Sequence, residues 1–472
     1  MYQNGQGVKK DFNKAFEFYK SASDKSYDYA QSQLAYMYGT GQGVKKDFNK
    51  AFKLYKLASD QGNAYAKAQL AYMYQNGQGV KKDFNKAFEL YKLASNQGNA
   101  YAQERLGYMY EFGEGVKKDI NKALDFYELA AAQGDDVGQH RLGFHYSRQA
   151  KLMKDNSELK EYEKILYKKA INFYKLSADQ GFAPSQANLG LIYFNGILVK
   201  KDLKEAIRLF KLAAHQRDMS GQNNLAMAYE GGCGVKKNLK EAIRLFKLAA
   251  KQGQVQSLIS LGKKYSNGNG MPKNFNKAFD FFTRAGQHSV ALEGIGTLYK
   301  VGGEKFNTNF KKAIEHYNQS IKTHNKNSKA LYHLGEMYFN GIGFKKRNIT
   351  KAIELFTLSA EIGNSEAAEK LSEIYELGIG VDKNNTKALY WIQKIKKISI
   401  CEIKEWEENF NINAIQASKY ANLKNKIAQS RLSNKGKFYA VMIGVSKYEN
   451  FTSLKTPLKD IEVIGNVLKT KY

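Results

Sequence analysis

The chain has 472 residues and a formal net charge of +29, and its hydrophobic content of 43% is ordinary for a folded protein. Three prolines fit a nearly all-helical chain, and the two cysteines, Cys233 and Cys401, provide neither a disulfide framework nor the spacing of a zinc site. No apolar run approaches the roughly 18 residues of a membrane span, and no charged-then-apolar leader is visible. We therefore expect a cytoplasmic protein with no cofactor.

A motif repeated about every 36 residues organises the chain from its start to residue 395. An anchor alanine marks eleven copies of the second half of this motif, and ten first halves accompany them. A charged insertion near residues 151–164 interrupts the spacing once, and we expect it to lengthen both helices beside it. Residues 1–17 are identical to residues 73–89, so we expect the natural protein to begin earlier. The anchors are Ala15, Ala51, Ala87, Ala123, Ala170, Ala206, Ala242, Ala278, Ala313, Ala352 and Ala388.

Each copy is predicted to form two helices joined by a tight turn. Apolar residues of the first helix recur at helical spacing, and Gly107 beside them lets a neighbouring helix approach closely. The turn Gly113-Glu-Gly115-Val116 contains two glycines, which each cost about 1 kcal/mol inside a helix, and Asp119 is a good N-cap for the second helix. The expected buried residues are Ala102, Leu106, Met109 and Tyr110 in the first helix, and Ala123, Phe126, Leu129 and Ala130 in the second.

Neither helix can bury its apolar side alone, so stacked copies should share a continuous core, which is the architecture of an α-solenoid. The frame Ala-x-x-x-Leu-Gly-x-x-Tyr, Gly-x-Gly-Val, Asp-x-x-Lys-Ala and Ala-x-x-Gln-Gly resembles the Sel-one-like repeat, a relative of the tetratricopeptide repeat, over residues 1–395. The resemblance implies an all-α solenoid of about ten helix-turn-helix repeats, a right-handed superhelix that binds other proteins. It does not imply catalysis.

The side of each first helix that faces away from the core is the candidate protein-binding surface. The 100° step of a helix places Tyr101, Glu104 and Tyr108 on that side in one copy. The residue at the position of Tyr108 is aromatic in four successive copies, which predicts a row of rings about 10 Å apart. Alternatively, duplication copied a tolerated tyrosine whose ring packs on a neighbouring helix. The candidate residues are Tyr36, Tyr72, Tyr108, Phe144, Tyr65, Tyr101 and Glu104.

Lysine pairs recur at one place in each turn and predict a basic edge along the stacked repeats. One reading is an anionic partner, which could be nucleic acid, acidic lipid or an acidic extended protein segment. The other reading is a solvated edge, because only nine of the 74 basic residues are arginine, the better reader of phosphates and bases. The clearest pairs are Lys45, Lys46, Lys81, Lys82, Lys117 and Lys118.

The pattern changes after the last repeat. Residues 396–435 lack the repeat period, and we interpret them as a helical cap and linker. Residues 436–472 contain a continuous apolar strand pattern ending at Gly444, then an amphipathic helix pattern after Pro457. This stretch resembles the start of a caspase or metacaspase domain, so the fold class adds a short strand-helix fragment of an α/β domain.

The caspase resemblance suggests a rival function for the parent protein, as the targeting region of a cysteine peptidase. In that family the catalytic His and Cys lie further along, after later strands. Here the last histidine, His333, lies within the repeats, and Cys401 precedes the strand, so the catalytic pair is missing from this chain. The sequence therefore favours a non-catalytic interaction scaffold that uses its concave face, with nucleic-acid binding as a second alternative.

Overall fold

The protein is described by a computed structural model covering residues 1–153, 160–303, 306–323 and 327–394. The predicted cap at 396–435 and the predicted caspase-like fragment at 436–472 lie outside these residues. Within the described part, first and second helices of the repeat alternate without interruption from the first to the last. The prediction of an all-α repeat solenoid is confirmed.

Twenty-one helices, ten first and eleven second, occupy the described residues, which agrees with the count of half-repeats in the sequence. The helices are α1 Phe12–Ser23, α2 Asp28–Thr40, α3 Phe48–Asp60, α4 Ala64–Asn76, α5 Phe84–Asn96, α6 Ala100–Phe112, α7 Ile120–Ala132, α8 Asp136–Met153, α9 Lys160–Asp179, α10 Ala183–Asn195, α11 Leu203–His215, α12 Met219–Gly231, α13 Leu239–Lys251, α14 Val255–Asn267, α15 Phe275–Arg284, α16 Ser289–Val301, α17 Phe310–Thr323, α18 Ser328–Asn340, α19 Ile349–Glu361, α20 Ser365–Leu377 and α21 385–394.

The chain divides into two compact units, Met1–Leu334 and Gly335–Tyr472. The first unit contains α1 to α17 and the start of α18, and it includes all the candidate binding residues. The second unit contains, among its described residues, the end of α18 and helices α19 to α21. Even-numbered helices are the first helices of their repeats, and odd-numbered helices are the second helices.

Most second helices begin at a side-chain N-cap, and most first helices end at a left-handed glycine. Asp83 precedes α5, and its Oδ1 accepts a hydrogen bond from the backbone N–H of Lys86 at 3.0 Å. Gly77 follows α4 with a φ of 69°, a left-handed conformation that a residue with a side chain adopts only with strain. Because nearly every copy repeats this pair of signals, the helices keep a uniform length of 13 residues in most repeats.

The core lies between the two helices of a repeat and between neighbouring repeats. Leu106 and Met109 are completely buried, as the sequence predicts, and they pack in one cluster with Tyr91 of the preceding repeat. Gly107 faces the ring of Tyr127, where a β-carbon would lie 2.6 Å from ring atoms. The predicted close approach is confirmed, and the partner is the second helix of the same repeat.

The second helix buries a different stripe from the one predicted. Ala123 and Ala130 are buried as expected, but Leu129 is 50% exposed and Phe126 is only half-buried. Tyr127 is the large buried residue instead, because its hydroxyl donates a 2.6 Å hydrogen bond to Glu111 Oε2 and so satisfies its polar end. The expectation that Leu129 is in the core is therefore wrong.

Hydrogen bonds between glutamines join the two helices of a repeat at the end opposite the tight turn. Gln133, at the end of α7, donates from Nε2 to Oε1 of Gln103 on α6 at 2.6 Å. The equivalent bond recurs in other repeats, so the closure is part of the repeat itself. The further donor–acceptor pairs are Gln61–Gln31, Gln180–Gln139, Gln216–Gln186 and Gln252–Gln222.

The insertion lengthens both helices that flank it, as predicted from its charged, helical sequence. Helix α8 has 18 residues and α9 has 20, compared with 13 in the regular copies. The extra turns pack on each other through Ala150, Leu166 and Tyr167, which are all buried. The repeat order is therefore preserved through the insertion.

Two first helices place a basic side chain where four other copies have a buried methionine. Lys264 and His145 occupy the position of Met109 and are both buried. Each meets a carboxylate of the preceding first helix: Lys264 Nζ pairs with Glu230, and His145 Nε2 lies 3.5 Å from Glu111 Oε1. The two carboxylates share one repeat position, so these are two versions of the same contact between repeats.

Shortening Leu106 tests the core placement. Leu106→Ala should lower the free energy of unfolding by about 2–5 kcal/mol, because it removes a fully buried side chain and leaves a cavity. The matched control is Leu93→Ala on α5, where the leucine is 51% exposed and the expected loss is much smaller. Urea unfolding followed by circular dichroism measures both. Equal losses in the two variants would contradict the placement.

Removing either partner of the Glu230–Lys264 pair should have unequal effects. Glu230→Gln leaves a buried ammonium without a counter-charge and should destabilise the protein by about 3–5 kcal/mol. Lys264→Met restores the residue found at the equivalent Met109 and should be neutral or stabilising, since the Glu230 side chain is 36% exposed and can be solvated. Thermal unfolding of both variants measures the two effects. If the pair were exposed, neither change would shift the melting temperature appreciably.

Candidate interaction surface

An apolar row runs along the first helices of the first unit. Tyr36, Tyr72 and Tyr108 are half-buried, so each ring packs on the repeat yet keeps an exposed part. The row continues with Phe144, and then with two aliphatic residues that the sequence analysis did not include, Leu191 and Met227. The exposed fractions of these last three are 41%, 38% and 46%. Six successive first helices therefore present an apolar side chain at one position.

A polar row lies one helical turn before the apolar row. Its side chains are half-buried, and all of them can donate or accept hydrogen bonds. Because residues three apart lie on the same side of a helix, each polar residue is a neighbour of the apolar residue in its own copy. The polar row consists of Gln33, Gln69, Arg105, Arg141, Asn188 and Asn224.

The two rows meet most tightly around Tyr108, between α6 and α8. The guanidinium carbon of Arg105 lies 4.9 Å from the centre of the Tyr108 ring, and that of Arg141 lies 5.5 Å from it. The ring of Phe112 is 4.5 Å from the ring of Tyr108. We call Arg105, Tyr108, Phe112 and Arg141 the arginine–aromatic cluster, and cation–π contact holds its side chains in place.

Two carboxylates beneath the cluster hold its arginines. Arg105 Nη2 donates to Glu104 Oε1 at 2.7 Å, and Arg141 Nη1 lies 3.8 Å from Glu111 Oε2. Glu104 was expected to face a partner, but the structure buries it to 1% exposure and places its carboxylate against Arg105. Burial is possible because the bidentate contact satisfies both carboxylate oxygens. Glu104 therefore positions Arg105 and offers no exposed surface of its own.

The pKa of Glu111 reflects the same contacts. Burial alone would raise the pKa of this carboxyl, but the contact with His145, the hydrogen bond from Tyr127 and the charge of Arg141 lower it below its usual range. The carboxylate is therefore ionised at neutral pH and remains a counter-charge for Arg141.

Tyr65 and Tyr101 lie on the same first helices as the two rows and pack on buried tyrosines. Both are half-buried, and each ring stands edge-on to a buried tyrosine of the preceding second helix, Tyr55 or Tyr91, at 6.3 Å. Burial raises the pKa of Tyr101 to about 12, while nearby Arg105 opposes this shift. Their rings contribute packing as well as a partly exposed edge.

The predicted basic edge divides into two kinds of lysine. Lys46 and Lys82 place their ammonium groups 4.5 Å and 4.3 Å from the rings of Phe48 and Phe84, which begin the following helices. The third pair differs, because Ile120 replaces the phenylalanine after Lys118. All six lysines remain exposed, and two of them, Lys46 and Lys82, pack on an aromatic ring. The exposed lysines that begin each pair are Lys45, Lys81 and Lys117.

Sequence reasoning missed the polar row and the second half of the apolar row. Leu191 and Met227 lie at the same repeat position as Tyr108, but the 47-residue gap between Ala123 and Ala170 shifts the simple 36-residue count. Aligning the copies on Leu106, Leu189 and Leu225 recovers both residues. Arg105 and Arg141 carry a signal too, since arginine is rare in this chain and these two are in adjacent copies.

The described residues contain neither a cluster of metal ligands nor a membrane-spanning helix. No group of three metal-ligating side chains comes together there. No helix in the same residues is both long and apolar enough to cross a membrane.

The family model of the Sel1 repeat matches ten segments of the chain. The matched residues are 1–27, 28–63, 64–99, 100–135, 165–182, 183–218, 220–254, 255–290, 328–364 and 365–395. The chain belongs to the Sel1 repeat family. The matches skip residues 136–164, where the insertion lies, and 291–327, where the turn motif is degenerate. Members of this family generally act as scaffolds for protein interactions.

Two solved structures are similar to this Sel1 repeat protein to different degrees. The crystal structure of c5321, a protective antigen of uropathogenic Escherichia coli strains with an SLR fold, is 26% identical with a TM-score of 0.58. The comparison covers 97% of this chain and 94% of that one. A Sel1 repeat protein from Oxalobacter formigenes is 22% identical with a TM-score of 0.36, covering 76% and 89%. A search of curated proteins finds no significant match.

One histidine beside the polar row should make stability depend on pH. Burial, helped by the charge of Arg141, lowers the pKa of His140 to about 4. The unfolded chain then binds a proton below about pH 6.5 that the folded chain cannot bind until about pH 4. Stability should therefore fall on acidification through this window, by up to about 1.4 kcal/mol per pH unit.

The variant His140→Gln should lose less stability than the wild type between pH 7 and pH 4, because its side chain does not titrate. Urea unfolding at several pH values measures the difference, and an NMR titration of the imidazole gives the pKa directly. Titration of folded His140 near pH 6.5 would contradict the burial of its ring against Phe182 and Tyr174.

Proposed function

We propose that this Sel1 repeat protein is a non-catalytic scaffold that binds an extended segment of a partner protein across the first helices of its first unit. The observation on which the proposal rests is the pairing of an apolar row with a polar row over six successive repeats. The surface between them, which corresponds to the concave face of related repeat proteins, is long and narrow.

An extended segment suits the two rows because side chains and backbone polar groups alternate along it. Its side chains can pack on Tyr36 to Met227, while its backbone N–H and C=O groups need hydrogen-bond partners when water is excluded. Glutamine, arginine and asparagine of the polar row supply such partners with short or planar side chains. A folded domain would present a curved surface and would leave part of the row uncovered.

The arginine–aromatic cluster is the expected hot spot of this surface. Arginine and tyrosine are enriched where binding energy concentrates, and a rigid surface loses little entropy on binding. Tyr108 is held between Arg105 and Arg141, and both arginines are held by carboxylates. Because these charges are balanced locally, the cluster itself favours an apolar or aromatic side chain of the partner.

The preference for an acidic partner comes from the whole chain and not from the cluster. The net charge of +29 attracts acidic segments over long distances and should raise the association rate. The exposed lysines at the turns, such as Lys45 and Lys81, add to this attraction. An acidic extended segment with apolar side chains at intervals is therefore the partner type that the surface fits best.

Nucleic-acid binding and a caspase-like activity have less support. Sequence-tolerant binding of single-stranded nucleic acid uses aromatic rings that are free to stack on bases, whereas lysines cover the rings of Phe48 and Phe84. The caspase resemblance falls outside the described residues, and the family matches end at residue 395.

A double substitution on the apolar row tests the proposal. Peptides are selected from a displayed random library on the full-length chain, and their affinities are measured by fluorescence anisotropy. Tyr72→Ala combined with Tyr108→Ala should lower affinity more than tenfold, because hot-spot rings each contribute at least about 1–2 kcal/mol. Far-UV circular dichroism should remain unchanged, since both rings are partly exposed.

The matched control is Glu89→Ala combined with Asp125→Ala, on exposed sites of the second helices α5 and α7. This pair should leave peptide affinity within about twofold of the wild type, because surface substitutions away from the interface have small effects. If the tyrosine variant binds the selected peptides as tightly as the control does, the apolar row is not the binding surface.

A further inference from the structure

The second helices present a row of exposed leucines that the proposed binding surface does not use. One leucine occupies the same position in six successive second helices, α3 to α13, and its exposed fraction is between 38% and 52%. The row ends where Ser21 replaces the leucine in α1 and Arg284 replaces it in α15. The leucines are Leu57, Leu93, Leu129, Leu176, Leu212 and Leu248.

These leucines have no role in the core. In α7 the buried positions are Ala123, Tyr127 and Ala130, and Leu129 lies beside them on the outside. A single exposed leucine is normal in a soluble protein. A leucine repeated at one position of six successive second helices is not an isolated case, and we call this row the leucine strip, because exposed apolar patches rimmed by polar residues mark interaction sites.

The charge beside the leucines varies along this strip. Beside Leu93 and Leu129 the exposed neighbours are three acidic residues, Glu89, Asp125 and Glu128, and one lysine, Lys92. The surroundings of these two leucines are therefore acidic on balance, whereas those on α11 and α13 are basic.

The basic part is on α11 and α13, which share twelve identical residues, 203–214 and 239–250. Lys211 and Lys247 precede the two leucines, and neither has a carboxylate partner within the described residues. Arg208 and Arg244 add two more cations, although each donates 2.7 Å hydrogen bonds to a glutamate one turn earlier. The basic leucine patch comprises Lys211, Leu212, Lys247, Leu248 and Lys251.

We propose that the basic leucine patch docks an acidic amphipathic helix of a second partner protein. A helix presents residues seven apart on one side, and its rise over seven residues is about 10.5 Å, so one partner helix can offer apolar side chains to two successive repeats. Leucine-sized residues seven apart on the partner helix would meet Leu212 and Leu248. Acidic residues on either side would meet Lys211, Lys247 and Lys251, whose charges are otherwise uncompensated.

Two other occupants fit the patch less well. An anionic membrane needs apolar side chains that reach into the hydrocarbon, but Leu212 and Leu248 are only 38% exposed and their stems stay on the protein. A second copy would place its own acidic part against the patch, but two chains of net charge +29 repel each other at long range. An acidic helix has neither difficulty.

The test uses the full-length chain and a labelled synthetic peptide of three heptads, with leucine at the first and fourth positions and glutamate at the flanking positions. Binding is measured by fluorescence anisotropy. Leu212→Gln combined with Leu248→Gln should weaken binding at least tenfold. The matched control, Leu93→Gln combined with Leu129→Gln, should change it by less than about twofold, because three carboxylates and only one lysine lie beside these leucines and repel an acidic peptide.

Further measurements separate this site from the other surfaces. A peptide with lysine in place of glutamate should bind at least tenfold more weakly, and Tyr72→Ala with Tyr108→Ala should bind the acidic peptide normally. Equal losses in the two leucine pairs would overturn the proposal. So would binding only to anionic phospholipid vesicles, or a dimer in sedimentation that the Leu212 and Leu248 changes dissociate, since these results assign the patch to a membrane or to a second copy.

Discussion

The contact between a small residue of the first helix and an aromatic ring of the second sets the geometry of each repeat. At Gly107 and Gly190 a β-carbon would collide with the ring of Tyr127 or Phe210, at 2.6 Å and 2.7 Å. The two helices can therefore approach only where the first one has no side chain or a very small one. Every other part of the repeat, including the buried Leu106 and the caps at its ends, is arranged around this approach.

The same contact determines which side chains remain for binding. Once a ring fills the space between the two helices, the neighbouring position in the first helix, occupied by Tyr108, turns away from the second helix. In the second helix, the leucine two residues after the ring turns outward in the same way. One packing contact thus creates two separate surfaces, and duplication extends each of them across successive repeats.

Most of the fold could be predicted from the sequence because the same caps, glycines and apolar positions recur in many copies of the repeat. The period, the caps and the burial of Leu106 follow from patterns that recur in each copy. The stripe on the second helix could not be predicted correctly, because Leu129 is more apolar than Tyr127 and nothing in the sequence shows that Glu111 satisfies the tyrosine hydroxyl. Glu104 was misplaced for a similar reason, since its burial depends on the adjacent Arg105.

Near-identical repeats create a difficulty during folding, because any first helix could stack on the wrong neighbour and still bury its apolar side. The Glu111–His145 and Glu230–Lys264 contacts join specific neighbouring repeats at two places and so oppose incorrect stacking there. A repeat that stacks out of order there would leave the buried Lys264 or His145 without its carboxylate, which destabilises the misordered array. Each pair therefore favours one stacking order at its own position, although the repeats on either side are almost interchangeable.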